Sequence, residues 1–115
     1  MTYSINDKVK KIRDALTSIE TNAPVYHYRK PADSEQKRYI IWAEDSGDGF
    51  GANNRNAEMS VTGTIDLYTQ IEFDMLIDQI AQALDASVHV SFNLNSVDYD
   101  DESNLIHYEF LFTVC

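Results

Sequence analysis

The sequence predicts a single α+β domain: two amphipathic helices on an antiparallel or mixed sheet of four to five strands, in the order α-β-β-β-α-β-β. Three observations carry this. The chain has 115 residues, the size of one domain. Two segments repeat apolar residues at helical steps of three and four. Other segments alternate apolar and polar residues, and most neighbours are joined by short, hairpin-like links. Nothing in the chain repeats, and no second domain is indicated.

The first helix rests on Ile5, Val9, Ile12, Leu16 and Ile19, which form one stripe. Ser4 or Asn6 caps it, Asp7 suits its first turn, and it stops near Thr21–Asn22, ahead of Pro24. Its outward face carries Lys8 and Lys11 and is cationic. Val25–Tyr28 reads as a short strand, followed by the polar segment Arg29–Arg38. Tyr39–Glu44 is a strand apolar on both faces, with Ile40 and Trp42 on one and Tyr39, Ile41 and Ala43 on the other. Such a strand is central in a covered sheet or lies against another subunit. Asp45–Asn56 (DSGDGFGANNRN) has no periodicity and reads as a long flexible loop. Long unstructured loops are usually functional or order on binding.

Glu58–Thr69 alternates cleanly, with Met59, Val61, Gly63, Ile65 and Leu67 facing inward. Gly63 on that side implies a close approach by another element, or a bulge. Phe73, Leu76, Ile77, Ile80 and Leu84 mark the second helix. Its other face carries Asp74, Asp78, Gln82 and Asp85, and no base. Asp74 and Asp78 are a like-charge pair at i,i+4, a small cost that an anionic docking face would tolerate. Val88, Val90, Phe92 and Leu94 hold even positions of the next strand, while Val97 and Tyr99 hold odd ones. The phase slip predicts a bulge or bend at Asn95–Ser96. An acidic turn, Asp100–Asn104, leads to Leu105–Val114, whose Ile106, Tyr108, Phe110, Phe112 and Val114 share a face.

Charge is the main functional signal. The formal net charge is −10, which disfavours nucleic-acid binding through the phosphate backbone. It is also unevenly spread. Residues 1–38 hold eight bases and five acids, whereas residues 39–115 hold Arg55 alone against fourteen acids. A molecule with one positive and one negative region can associate head to tail with its copies, and such contacts close into rings when the rotation permits.

The search for chemistry returns little. The glycines at 47, 49 and 51 lack the lysine and hydroxyl of a phosphate loop, and Glu44, Asp45 and Asp48 lack the ligand order of a calcium loop. His107 and Glu109 share a strand face but need a third ligand from a neighbour to hold a metal. Cys115 has no evident base partner. A lone thiol fits a reducing compartment, and no apolar run reaches the length of a membrane helix. The expectation is a non-enzymatic protein with no cofactor and no metal. Tyr28, Tyr39, Trp42 and Phe50 flank polar segments, as aromatic residues at a subunit interface do.

Taken together, Tyr39–Asp45 (YIIWAED), Thr62–Thr69 (TGTIDLYT), Phe73–Asp74, Asn95–Tyr99 (NSVDY) and Leu105–Phe110 (LIHYEF) resemble a family of small phage and prophage proteins labelled minor capsid or tail components. That family is similar to the tail terminators and tail-to-head joining proteins of long, non-contractile-tailed phages. The similarity runs from about Lys8 to Val114. It implies a homo-oligomer, a hexameric ring on the tail tube that meets the head–tail connector, with DNA passing through. It implies a place in the virion tail or neck, and in the host cytoplasm during assembly. On this reading Lys8, Lys11, Arg29, Lys30, Lys37 and Arg38 meet acidic surface on the next protomer. Tyr39, Trp42 and Phe50 sit at interfaces, and the sheet edges contact the tube together with the Asp45–Asn56 loop, which holds Asp45, Asp48, Phe50 and Arg55. Asp74 and Asp78 offer an anionic face to a basic partner. Two alternatives stay open: an acidic DNA mimic, or another inhibitor of phage origin, binding a nuclease or repressor without forming a ring; and a small enzyme or ligand-binding domain whose site is assembled only in three dimensions.

Overall fold

A computed structural model describes residues 4–45 and 60–115 of the chain. Its elements are α1 (Ile5–Thr17), β1 (Val25–His27), β2 (Tyr39–Asp45), β3 (Val61–Thr69), α2 (Met75–Asp85), β4 (Val90–Asp100) and β5 (Leu105–Val114). The order is the expected α-β-β-β-α-β-β. The five strands form one mixed sheet in the order β1-β2-β3-β5-β4. All neighbours are antiparallel except β1 and β2, which are parallel. Parallel neighbours need a crossover connection, and residues 28–38 supply it.

Ser4 caps α1, its hydroxyl accepting from the Asp7 amide at 3.1 Å. The helix ends earlier than its apolar stripe suggests. Thr17 donates to the Arg13 carbonyl and Ser18 to the Ala15 carbonyl, and Ser18 forms the C-cap. Ile19 still packs on the core from outside the helix. Asp74 caps α2, with its carboxylate accepting from the Leu76 amide. Phe73 therefore lies outside the helix that its spacing suggested. It has φ of 59° and is 86 % exposed, because the tight entry into the cap turns it to solvent.

Both helices lie on one face of the sheet. Ile12, Ala15 and Leu16 of α1 and Leu76, Ile80 and Leu84 of α2 pack with Ile40, Trp42, Ile65, Leu67, Phe110, Phe112 and Val114. In β3 burial alternates over all nine residues, as the sequence pattern requires. Gly63 sits where three strands converge. A Cβ there would stand 2.1 Å from the Ala43 carbonyl oxygen and 2.6 Å from the Phe112 ring. The expected close approach is thus real, and its partners are the flanking strands. The register of β4 on β5 shifts between Leu94 and Ser96, at the expected bulge. Val88 is exposed and precedes the strand rather than opening it.

Candidate functional site

Among the described residues, two features of the sheet are left without a further strand or helix against them: its edges and the face away from the helices. The edge strands are β1 and β4. They differ in length, with three residues in β1 and eleven in β4. Along β4, Leu94, Val97 and Tyr99 are 48 %, 51 % and 58 % exposed. Cross-sheet register puts Leu94 level with Phe110, and Val97 level with Tyr108. These residues are on the helix side of the sheet, beyond the helices' reach. Around them are Asp98, Asp100, Asp101 and Glu102, all exposed. Asp100 is held below the ordinary carboxylate range by hydrogen bonds from Ser103 and the Glu102 amide.

The opposite edge carries both signs, with Lys10, Arg29 and Lys37 near it and the acids Asp33, Glu35 and Glu44 among them. Beside β1, Lys10 and Arg13 of α1 line a hollow of about 310 Å³ with His27, Tyr28, Trp42 and Glu44. His27 is stacked between Tyr28 and Trp42, with ring centroids 3.9 Å apart on each side. Its Nε2 lies 2.7 Å from Glu44, and Tyr28 also donates to Glu44. Burial pushes the Glu44 pKa up, but those two hydrogen bonds, together with a backbone hydrogen bond and the electrostatic attraction of His27, hold the carboxyl below its ordinary value. Tyr28 is raised in turn by its bond to Glu44.

From Tyr28 the crossover folds down the open face. Tyr26 and Ser34 hydroxyls lie 3.4 Å apart, and Lys30 Nζ stands 4.9 Å above the Tyr39 ring. The crossover explains why Tyr39 is buried although it points away from the helices. Tyr39 stacks on Tyr68 at 4.9 Å, and Tyr68 on His107 at 4.3 Å. His107 Nε2 meets Asp66 at 2.7 Å, and Asn95 donates to Glu109 at 2.9 Å. Burial raises the Asp66 pKa despite His107, and burial together with Asp66 pushes the Tyr68 hydroxyl up to about 12.

Several expected contact residues have other duties. Arg38 and Asp74 satisfy each other within the protomer, through two bonds of 2.8 and 2.7 Å. Thr69 adds a third bond to the same carboxylate at 2.7 Å. The Arg38 bond is the largest influence that brings the Asp74 carboxyl down to about 2. Asp74 is thus a buried cap, not a member of an exposed anionic face, and the like-charge cost with Asp78 is offset by Arg38. Tyr39 and Trp42 are buried inside the protomer, so neither is an interface aromatic. Their flanking polar residues reflect the crossover, not a subunit boundary. Lys11 donates to the Val88 carbonyl at 3.0 Å. Lys8 lies on α1, Asp45 ends β2, and Arg29, Lys37 and Asp78 are exposed. Asp48, Phe50 and Arg55 lie outside the described residues.

Two groups were not singled out in the sequence as a site: the His27–Tyr28–Trp42–Glu44 cluster and the Asp66–His107 pair. Only the cross-strand register brings them together, and one sequence carries no register. Among the described residues, no group of three or more His, Cys, Asp or Glu is placed to hold a metal. Among them, too, no helix is long and apolar enough to cross a membrane. Neither a family model nor a curated protein matches the chain.

Proposed function

We propose that this protein is a structural subunit of a phage tail, a tail terminator or completion ring that caps the tail tube and joins it to the head connector. The observation that carries the reading is the opposition of the two sheet edges. One is short, with Lys10, Arg29 and Lys37 near it among Asp33, Glu35 and Glu44; the other is long, acidic and studded with exposed apolar side chains. Surfaces of this kind suit heterologous contacts, which generate rings when they close. The resemblance in the strand sequences supplies the phage context, the hexamer and the partners: the tube protein and the connector.

In this reading the open sheet face has a second duty. Asp45, Asp66, Asp98 and Glu109 occupy its strands. Facing the lumen, these acids keep passing DNA from adhering, because like charge repels the phosphate backbone. Association through exposed charges weakens as salt rises.

Electron microscopy of the protein mixed with tail tubes tests the reading. The expected image is a ring of density on one tube end, with the open face toward the channel. Bare tube ends at saturating protein refute it. A single copy bound to a nuclease or repressor would instead identify an acidic inhibitor.

A further inference from the structure

We infer that the copies join edge to edge, with β4 of one pairing antiparallel to β1 of the next, so that one sheet continues through the assembly. The inference rests on the ring reading for its occupant, a second copy of this chain. Its geometry comes from the fold.

Three observations converge. The first is strand direction. β4 runs antiparallel to β5, β5 to β3, and β3 to β2, while β1 follows β2. The outer strands β1 and β4 therefore run in opposite directions. Copies related by rotation about an axis along the strands keep those directions, so every junction is antiparallel.

The second is level. Tracing the register across the sheet, Val25 lies level with Ile40, Leu67, Tyr108 and Val97, and His27 level with Trp42, Ile65, Phe110 and Leu94. Without a rise between copies, Val97 and Leu94 come beside Val25 and His27 of the next protomer, on the same face. The apolar side chains left uncovered on β4 gain neighbours there.

The third is charge at the same level. Tyr39 is level with Asp98, through Tyr68 and His107. Lys37 precedes Tyr39 by two residues, and the Lys30 amine stands over the Tyr39 ring. The cations of the β1–β2 side thus lie at the end of the sheet where β4 carries Asp98 and Asp100. Pairing two β4 edges would set acid beside acid, whereas the β1 side offers Lys37 at the level of Asp98 and Asp100. Among the described residues no strand pairs with the outer side of β4, and an edge of eleven residues is a template for strand addition, with charge selecting which strand.

Three residues of β1 make each junction short. A lone contact is therefore weak, and the assembly gains when both edges of every copy are used.

The test uses Lys37→Glu and Asp98→Lys, both on exposed side chains, with circular dichroism to confirm folding. Sedimentation alone and with tail tubes reads assembly. Each variant by itself should need about fivefold more protein to assemble. An equimolar mixture should recover, because alternating copies restore opposite charge at every junction. In a Cys115→Ser background, Val25→Cys and Val97→Cys together should form an intermolecular disulfide in the assembled state. Rings that form with normal affinity from either charge variant, or that yield no crosslink, overturn the edge pairing while leaving the ring standing. Edge-paired rings that never cap a tube overturn the tail function and leave the pairing standing. Copies that stay single in both settings overturn both.

Discussion

β3 and β4 have nearly the same kind of sequence and opposite fates. Each alternates apolar and polar residues over about ten positions. β3 is flanked by β2 and β5 and covered by helices, so its alternating side chains are buried to the last residue. Among the described residues β4 is flanked on one side only, and most of it is exposed. Alternation records that a face prefers to be covered, but not whether the cover comes from the same chain. In β3 the cover is internal. In β4, Leu94, Val97 and Tyr99 stay exposed within the described residues.

Substitution should separate the two strands. Ile65→Ala in β3 empties a fully buried site and should cost about 3 kcal/mol of unfolding free energy in denaturant titration. Gly63→Ala in the same strand should cost a similar amount, about 3 kcal/mol, because the added methyl meets fixed backbone in β2. Leu94→Ala in β4 should change monomer stability by no more than about 0.5 kcal/mol and act on assembly instead. A loss of several kcal/mol at Leu94 would erase the distinction between the strands.

A second contrast lies between neighbours in sequence. Arg38 is bound to a buried carboxylate, whereas Lys37 is exposed. Arg38→Glu faces Asp74 with a like charge and should destabilise the fold by about 2–3 kcal/mol. Lys37→Glu should leave the melting temperature nearly unchanged. Acid titration probes the same pair. The Asp74 carboxyl falls from an ordinary 3.8 to about 2 in the folded protein. A depressed folded pKa stabilises above the unfolded value, so Asp74 contributes about 2 kcal/mol at neutral pH. That contribution should fade as pH drops from about 4 to 2. Asp74→Asn should flatten this limb of the stability–pH curve, and an unchanged limb would remove the pair from the account.

The sequence displayed what depends on local period. The two helices, the Asn95–Ser96 bulge, the inward face of β3 and the crowding at Gly63 could all be read from spacing. It concealed what depends on partners distant along the chain. Phe73 kept helical spacing but lies outside the helix, because Asp74 takes the cap. Tyr39 and Trp42 looked like boundary aromatics until the crossover and α1 were seen to cover them. Arg38 and Asp74 are 36 residues apart, and nothing local marks them as a pair. Likewise the candidate edges emerge only from strand order. Charge asymmetry along the chain says which half holds the bases, whereas where those residues sit on the sheet required the topology.

Hydrogen exchange at the amides of β4 most directly tests the claim that this edge awaits another copy. In dilute protein the outward amides of Val90–Asp100 should exchange quickly. As assemblies form, those amides and the ones of Val25–His27 should slow together, in step with the assembled fraction. Assemblies in which both segments exchange as fast as in the single copy would contradict the account.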